Sequence, residues 1–378
     1  MKNAENRIKT VFLAVVALII LLPALFTNIK KDQRSEINNT MLAEFPAFDE
    51  GFFDGLSNYA DERVGFRTGI ITAYQEMNII LFHYLVHPLY EYGKDDWIMT
   101  KGWDQIQTLH LDVPEDYVKA FGKFVSCIDQ YSEENGAKFL FLLVPNKETI
   151  YYEKLSDGYN IKPTKKTKSD LIIDELNRRG VNNLYLRKTF LDHKDEVLLY
   201  NKKFDAGHWN DNGAFYGLSR MYDHLIDEMD TDVDPIKEED FDIDHSTAKY
   251  LLNSFIWIDE EVPVYNLNEV KYTLSEEDYW SDFDMISENN YHTHTFNEQT
   301  GENGNLSVLL FCDSYLLTNE KFFANNFREF TMIHGRELPR ARYYIEKLQP
   351  DIVIMEATER VIGPGYDYNI EFMEQMYE

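Results

Sequence analysis

Phe139–Val144 is apolar on consecutive residues rather than on alternate ones, and the strand-like stretches Asn305–Phe311 and Asp351–Met355 each contain a shorter unbroken run, Val308–Phe311 and Ile352–Met355. A strand with one wet face alternates, so unbroken runs of this length suit strands buried on both faces of a parallel sheet. Between them stand segments with helical spacing. Val113–Asn135 is amphipathic, with Pro114 near its first turn and Gly136 beyond its end, and Lys168–Arg179, Gly213–Met229 and Pro339–Leu348 follow. Asn183–Leu186 and Asp95–Met99 read as further short strands. Strands alternating with helices predict an α/β fold, a doubly wound parallel sheet flanked by helices. Ligands in such sheets sit beyond the carboxyl ends of strands, so chemistry is expected just after Val144, Phe311 and Met355.

The pattern breaks between about 231 and 303. This stretch is acidic, with β-type fragments at Phe255–Ile258 and Val262–Tyr265, and reads as an insertion decorating the sheet. No regular calcium-loop spacing of acidic residues occurs in it, so a solvated surface is expected. At the other end, Val11–Ile29 carries no charge, and about 20 apolar residues are what a bilayer core requires. Lys2, Arg7 and Lys9 precede the run, and no small-x-small cleavage site follows it. An uncleaved single-pass anchor with the rest of the chain extracytoplasmic is therefore expected; a cleaved signal peptide would place that remainder on the same side. Residues 30–50 read as a polar stalk, and Phe52–Tyr84 as two helices parted at Gly65-Phe66-Arg67. The organisation predicted is an anchor at 1–30, a stalk and helical lead-in at 31–90, and the α/β domain at 91–378.

Composition narrows the partners. The chain has 66 acidic against 37 basic residues, a net charge of −29, so it repels phosphate backbones, and no nucleic-acid partner is expected. Its two cysteines, Cys127 and Cys312, cannot form a disulfide framework and read as small buried side chains.

Three motifs carry polar residues to the expected edge. Cys312-Asp313-Ser314-Tyr315 follows a buried strand, where a Ser hydroxyl can face a crevice beside backbone N–H groups. Asp205-Ala206-Gly207-His208-Trp209-Asn210-Asp211 leads into a helix. There His208 can serve as a general base oriented by an Asp, Trp209 can pack beside the imidazole, and Asn210 or Asp211 can cap the helix. Pro145-Asn146-Lys147-Glu148-Thr149 follows the first buried strand, where Asn146 can orient substrate or donate to an oxyanion.

These motifs, with GKDDWIMTKGW at 93–103 and the region from Asn39 to Ile70, resemble the SGNH-hydrolase-like alginate O-acetyltransferases of the AlgJ/AlgX type and the related DHHW proteins. The resemblance implies a flavodoxin-like sheet and a Ser-His-Asp triad in which the Asp–His segment precedes the Ser. Carried over, Ser314 is the nucleophile, His208 the base and Asp205 its orienting acid. Two residues separate Asp205 from His208 where the family has one, which leaves Asp211 and Asp313 as alternatives. Cys312 stands where the family has Gly. Asn146, Trp209, Tyr315 and Arg336 are expected at the substrate, and Thr358-Glu359-Arg360 as an ion pair at the rim. The implied activity is serine O-acetyl transfer to a cell-surface or secreted polysaccharide, with a membrane-bound O-acyltransferase as acyl source and no cofactor. An esterase of the same fold, or an inactive glycan-binding or scaffolding relative, are the competing readings. His292 and His294 have ligand-like spacing but no third ligand nearby, so a metal site is not expected.

Overall fold

Phe139, Phe141 and Leu143 project to one side of their strand and Leu140, Leu142 and Val144 to the other, and both sets are buried in a computed structural model of the chain. The structure describes all residues except 1, 35–40, 50, 102–112, 158–165, 253, 255, 286–291, 299–304, 318, 366 and 378. Gly102 and Trp103 of the early motif, and parts of the acidic insertion, lie outside the described residues. The chain divides into two compact units, 1–87 with 248–259, and 88–247 with 260–378.

The larger unit is built on a seven-stranded sheet. Its strands are β3 (Lys138–Val144), β4 (Asn183–Tyr185), β7 (Thr273–Leu274), β8 (His292–Phe296), β9 (Ser307–Cys312), β10 (Glu329–His334) and β11 (Ile352–Thr358). The order is β4-β3-β11-β9-β10-β8-β7. The first five are parallel, in register Met355↔Phe141, Met355↔Phe311 and Ile333↔Phe311. The expected parallel sheet is thus mixed, because β8 and β7 come from the insertion, β8 pairing antiparallel with β10 and β7 antiparallel with β8. Each face is covered by helices, which is why the central strands have no polar alternation. On one side α4 (Glu115–Glu134), α5 (Lys168–Arg179) and α8 (Ala341–Leu348) bury Phe121, Phe124, Ile172 and Tyr344 against Phe141, Leu309 and Val353. On the other, α6 (Arg187–His193) and α7 (Asp211–Asp227) bury Phe190, Leu218 and Met221 against Leu142, Leu310 and Ile354.

Local signals act where expected. Asn210 caps α7, its side chain accepting from Gly213 N at 3.0 Å. Thr167 and Asp170 form a capping box on α5, which Gly180 ends at φ 76°. The expected strand at Asp95–Met99 is instead a left-handed turn at Asp95 and Asp96 followed by β2 (Ile98–Thr100), paired with β1 (Tyr90–Tyr92). In the insertion a hairpin of β5 (Phe241–Tyr250) and β6 (Trp257–Leu267) takes up both predicted β-type fragments save Phe255, which is not described, and Ile256 just before β6. His292 and His294 pack on the rings of Trp280 and Tyr279, and His294 shares contacts with Ser275 and Glu329.

In the smaller unit, α1 (Lys2–Leu25) contains Asn6–Leu25, long and apolar enough to cross a membrane, with mean hydropathy 2.6. The two helices expected from 52 to 84 are α2 (Phe52–Arg63) and α3 (Arg67–Phe82), parted by Phe66 at φ 61°.

Candidate active site

The carboxyl end of β9 is a turn held from below. Asp313 gives its backbone N–H to Glu356 Oε2 at 2.9 Å, and its own carboxylate accepts from Tyr315 N at 2.9 Å, Thr358 N at 2.9 Å and Thr358 Oγ1 at 2.6 Å. That ties the turn to the neighbouring strand β11 and leaves Ser314 as its exposed residue. Glu356 is fully buried, and burial followed by the adjacent Asp313 charge pushes its carboxyl well above the ordinary range. Of the two acids, Asp313 accepts three hydrogen bonds and Glu356 one, so less offsets the burial at Glu356. Burial likewise raises the thiol of Cys312, which lies in the core beside α7.

Facing Ser314 is the loop that precedes α7. His208 Nε2 lies 2.9 Å from Ser314 Oγ and Nδ1 lies 2.8 Å from Asp205 Oδ1. With Nδ1–H donated to Asp205, Nε2 is left to accept the Ser314 proton. Asp205 rather than the two alternatives meets His208. Asp211 accepts from Tyr265 N at 2.8 Å and Lys321 Nζ at 2.5 Å, and Asp313 is used in the turn. The backbone at Asp205 is left-handed, φ 41°, which bends the loop so that a spacing of three still brings carboxylate and imidazole together.

Trp209 and Tyr315, expected at the substrate, are buried in the wall between the two loops. Trp209 gives its indole N–H to Tyr315 O at 2.9 Å and stacks on Phe190, while Tyr315 gives its hydroxyl to Gly207 O at 2.6 Å. It is the Tyr315 ring, 5.1 Å from the imidazole, that packs against His208, a place foreseen for Trp209. Asn146 is buried at the end of β3, with its N–H donated to Glu359 at 2.8 Å. Arg336 is exposed just after β10, its N–H donated to His334 Nδ1 at 3.1 Å.

The expected Glu359–Arg360 pair does not form. Glu359 is fully buried and accepts from Asn146 N, Ser169 Oγ, Thr149 Oγ1 and Tyr185 Oη; burial raises its carboxyl against the pull of those donors. Arg360 turns instead to the site, its guanidinium 4.9 Å over the Tyr315 ring and Nη1 close enough to Gly207 that an added Cβ would meet it at 3.1 Å. Two further residues went unread in the sequence. Glu260 of β6 accepts the N–H groups of Lys202, Lys203 and Phe204 at 2.7, 2.9 and 2.6 Å, immediately before Asp205. Lys147 donates to Lys202 O at 3.1 Å and Ile98 O at 2.7 Å, and its burial lowers its amine to about 8.

A serine on a β-strand turn meets an Asp–His loop across the carboxyl edge of a helix-covered sheet, and the fold that carries them is SGNH-like. More particularly, residues 91–262 match the family described as SGNH hydrolase-like domain, acetyltransferase AlgX. That stretch holds Asp205 and His208 and ends before Ser314. Among solved structures the fold is shared with Bacillus cereus PatB1 bearing a sulfonyl adduct, at 15% identity and TM-score 0.52 over 72% of this chain and 95% of that one. A DHHW family protein from Eubacterium siraeum matches at 14% identity and TM-score 0.52, over 77% of this chain and 96% of that one. The O-acetyltransferase domain of Pseudomonas putida AlgJ matches at 12% and 0.50, over 77% and 99%. No curated protein matches the chain in sequence.

Proposed function

We propose that this chain is a membrane-anchored, extracytoplasmic serine O-acetyltransferase acting on a cell-surface or secreted polysaccharide. The observation that carries the reading is the continuous path from Ser314 Oγ through the imidazole of His208 to Asp205, with contacts of 2.9 and 2.8 Å. His208 Nε2 takes the Ser314 proton as Oγ attacks the carbonyl carbon of an acetyl ester. The donor's alkoxide leaves with that proton, and the acetyl group stays on Ser314. A sugar hydroxyl then gives its proton to Nε2 and attacks the acetyl carbon, and Ser314 leaves reprotonated. Asp205 stabilises the imidazolium formed in each half. The acetyl source fitting an anchored chain is a membrane-bound O-acyltransferase, and no cofactor enters the chemistry. An esterase reading draws support from the exposure of Ser314, which lets water compete with the sugar. Incubation with an acetyl ester, with and without oligosaccharide, separates the two: sugar-dependent acetylation supports transfer, and sugar-independent acetate release supports hydrolysis. A Ser314→Ala variant as active as the parent would defeat both.

A further inference from the structure

Helix α3 is built inside out. Around its axis Ile70, Tyr74, Met77, Ile80 and Leu81 fall on one face with no charge among them, and all five are exposed, Ile80 at 79% and Leu81 at 63%, as is Phe66 at the N-cap ahead of them. The residue on the opposite face that is buried is polar: Gln75 is 8% exposed, and its Oε1 has no partner among the described residues. A helix in water turns the other way, and a contiguous apolar face of this size marks a surface that something else covers.

What covers it is indicated by how α3 is tied to the apolar helix α1. The turn between α2 and α3 is bonded directly to the last turn of that span: Gly65 N donates to Pro23 O at 3.0 Å, and Asn28 N to Arg63 O at 2.8 Å. The Phe26 and Phe66 rings meet at 5.0 Å, and a Cβ on Gly65 would lie 2.5 Å from Phe26, so only glycine lets the two segments close up. Arg63, itself buried, locks the junction by donating to Ala43 O at 2.6 Å and to Asn28 O and Leu42 O at 3.2 Å. Helix α3 therefore begins within one helical turn of the point where a 20-residue apolar span ends.

We propose that α3 lies in the outer surface of the bilayer, its Ile70–Leu81 face at the boundary between headgroups and acyl chains, so that the protein is held by an interfacial helix as well as by a spanning one. This rests on the reading of α1 as an inserted anchor, and the test separates the two. The full-length chain, with Cys127→Ser to remove the more accessible thiol, is reconstituted in phosphatidylcholine vesicles and given one fluorophore at Met77→Cys, Ile80→Cys, Leu18→Cys or Lys188→Cys. The expected result is that labels at 77 and 80 are several-fold less quenched by aqueous iodide than the label at 188. They are also quenched by lipids with a nitroxide near the headgroup, and the label at 18 by lipids with a mid-chain nitroxide. Labels at 77 and 80 as open to iodide as that at 188, with 18 still quenched from within the bilayer, overturn the inference and leave the anchor standing. A label at 18 that no lipid quenches removes the anchor, and the inference with it. Shielding of 77 and 80 from iodide without quenching by lipid means that protein covers the face, a second copy or another domain, and also overturns it.

Discussion

Replacing Glu260 tests whether the acidic insertion takes part in shaping the site. Its carboxylate receives three successive backbone N–H groups at 2.6–2.9 Å, and the next residue is Asp205 in a left-handed conformation. A hydrogen bond to a charged acceptor contributes about 1.5–3 kcal/mol when solvent is excluded. Glu260 is partly exposed, so water replaces some of that, and Glu260→Ala is expected to cost the loop about 2–3 kcal/mol. At 1.36 kcal/mol per decade this corresponds to roughly 30- to 150-fold faster amide exchange at Lys202–Phe204 and a loss in kcat/KM approaching that range. Glu260→Gln should fall between, because one amide oxygen still serves Lys203 and Phe204 while its NH2 opposes Lys202 N–H. The sheet core is untouched, so the melting temperature should fall only by the several degrees that about 2–3 kcal/mol implies for a domain of this size. The assays are hydrogen exchange resolved to residues 202–204 and turnover of an acetyl ester. An alanine variant with parental exchange and parental turnover would show that the brace does not hold the loop, and the reasoning would fail.

Asp205→Asn keeps shape and tolerates the left-handed backbone, but it cannot stabilise an imidazolium, so ester turnover is expected to fall by about 10⁴-fold with the fold intact by circular dichroism. Glu356→Gln concerns stability. The carboxyl binds a proton more tightly folded than unfolded, so the parent loses stability as pH rises above the ordinary value of 4.5. The variant should gain on the parent at pH 7 and lose that advantage near pH 4 in urea titrations; an advantage independent of pH would refute the upward shift of the carboxyl. Cys312 should resist thiol reagents in the folded chain while Cys127 reacts, and both should react in denaturant; equal native rates would contradict the burial.

The central strands were legible because β3, β9 and β11 bury both faces, which leaves a mark on every residue. β10 was not: Glu329, Thr331 and His334 interrupt its apolar residues, so it lacks the unbroken run that marks its neighbours and offers only a four-residue alternation. The local motifs offer Ser314 and His208 as candidates and the family resemblance groups them with Asp205, yet the choice of Asp205 over Asp211 and Asp313 depends on one backbone angle that no composition rule supplies. Glu260, Glu356, Glu359 and Arg360 act through partners about 40 to 210 residues distant, and each looks in the sequence like an ordinary charge among many. Trp209 and Tyr315 are aromatic residues beside the motif, and only packing distinguishes a wall from a floor.

Asp205 and His208 are synthesised about a hundred residues ahead of Ser314, with the whole insertion between them. A nascent chain that has emerged only as far as β8 therefore holds the Asp205–His208 pair without the hydroxyl that His208 meets in the folded protein. Premature termination anywhere before β9 leaves the proposed chemistry without its nucleophile.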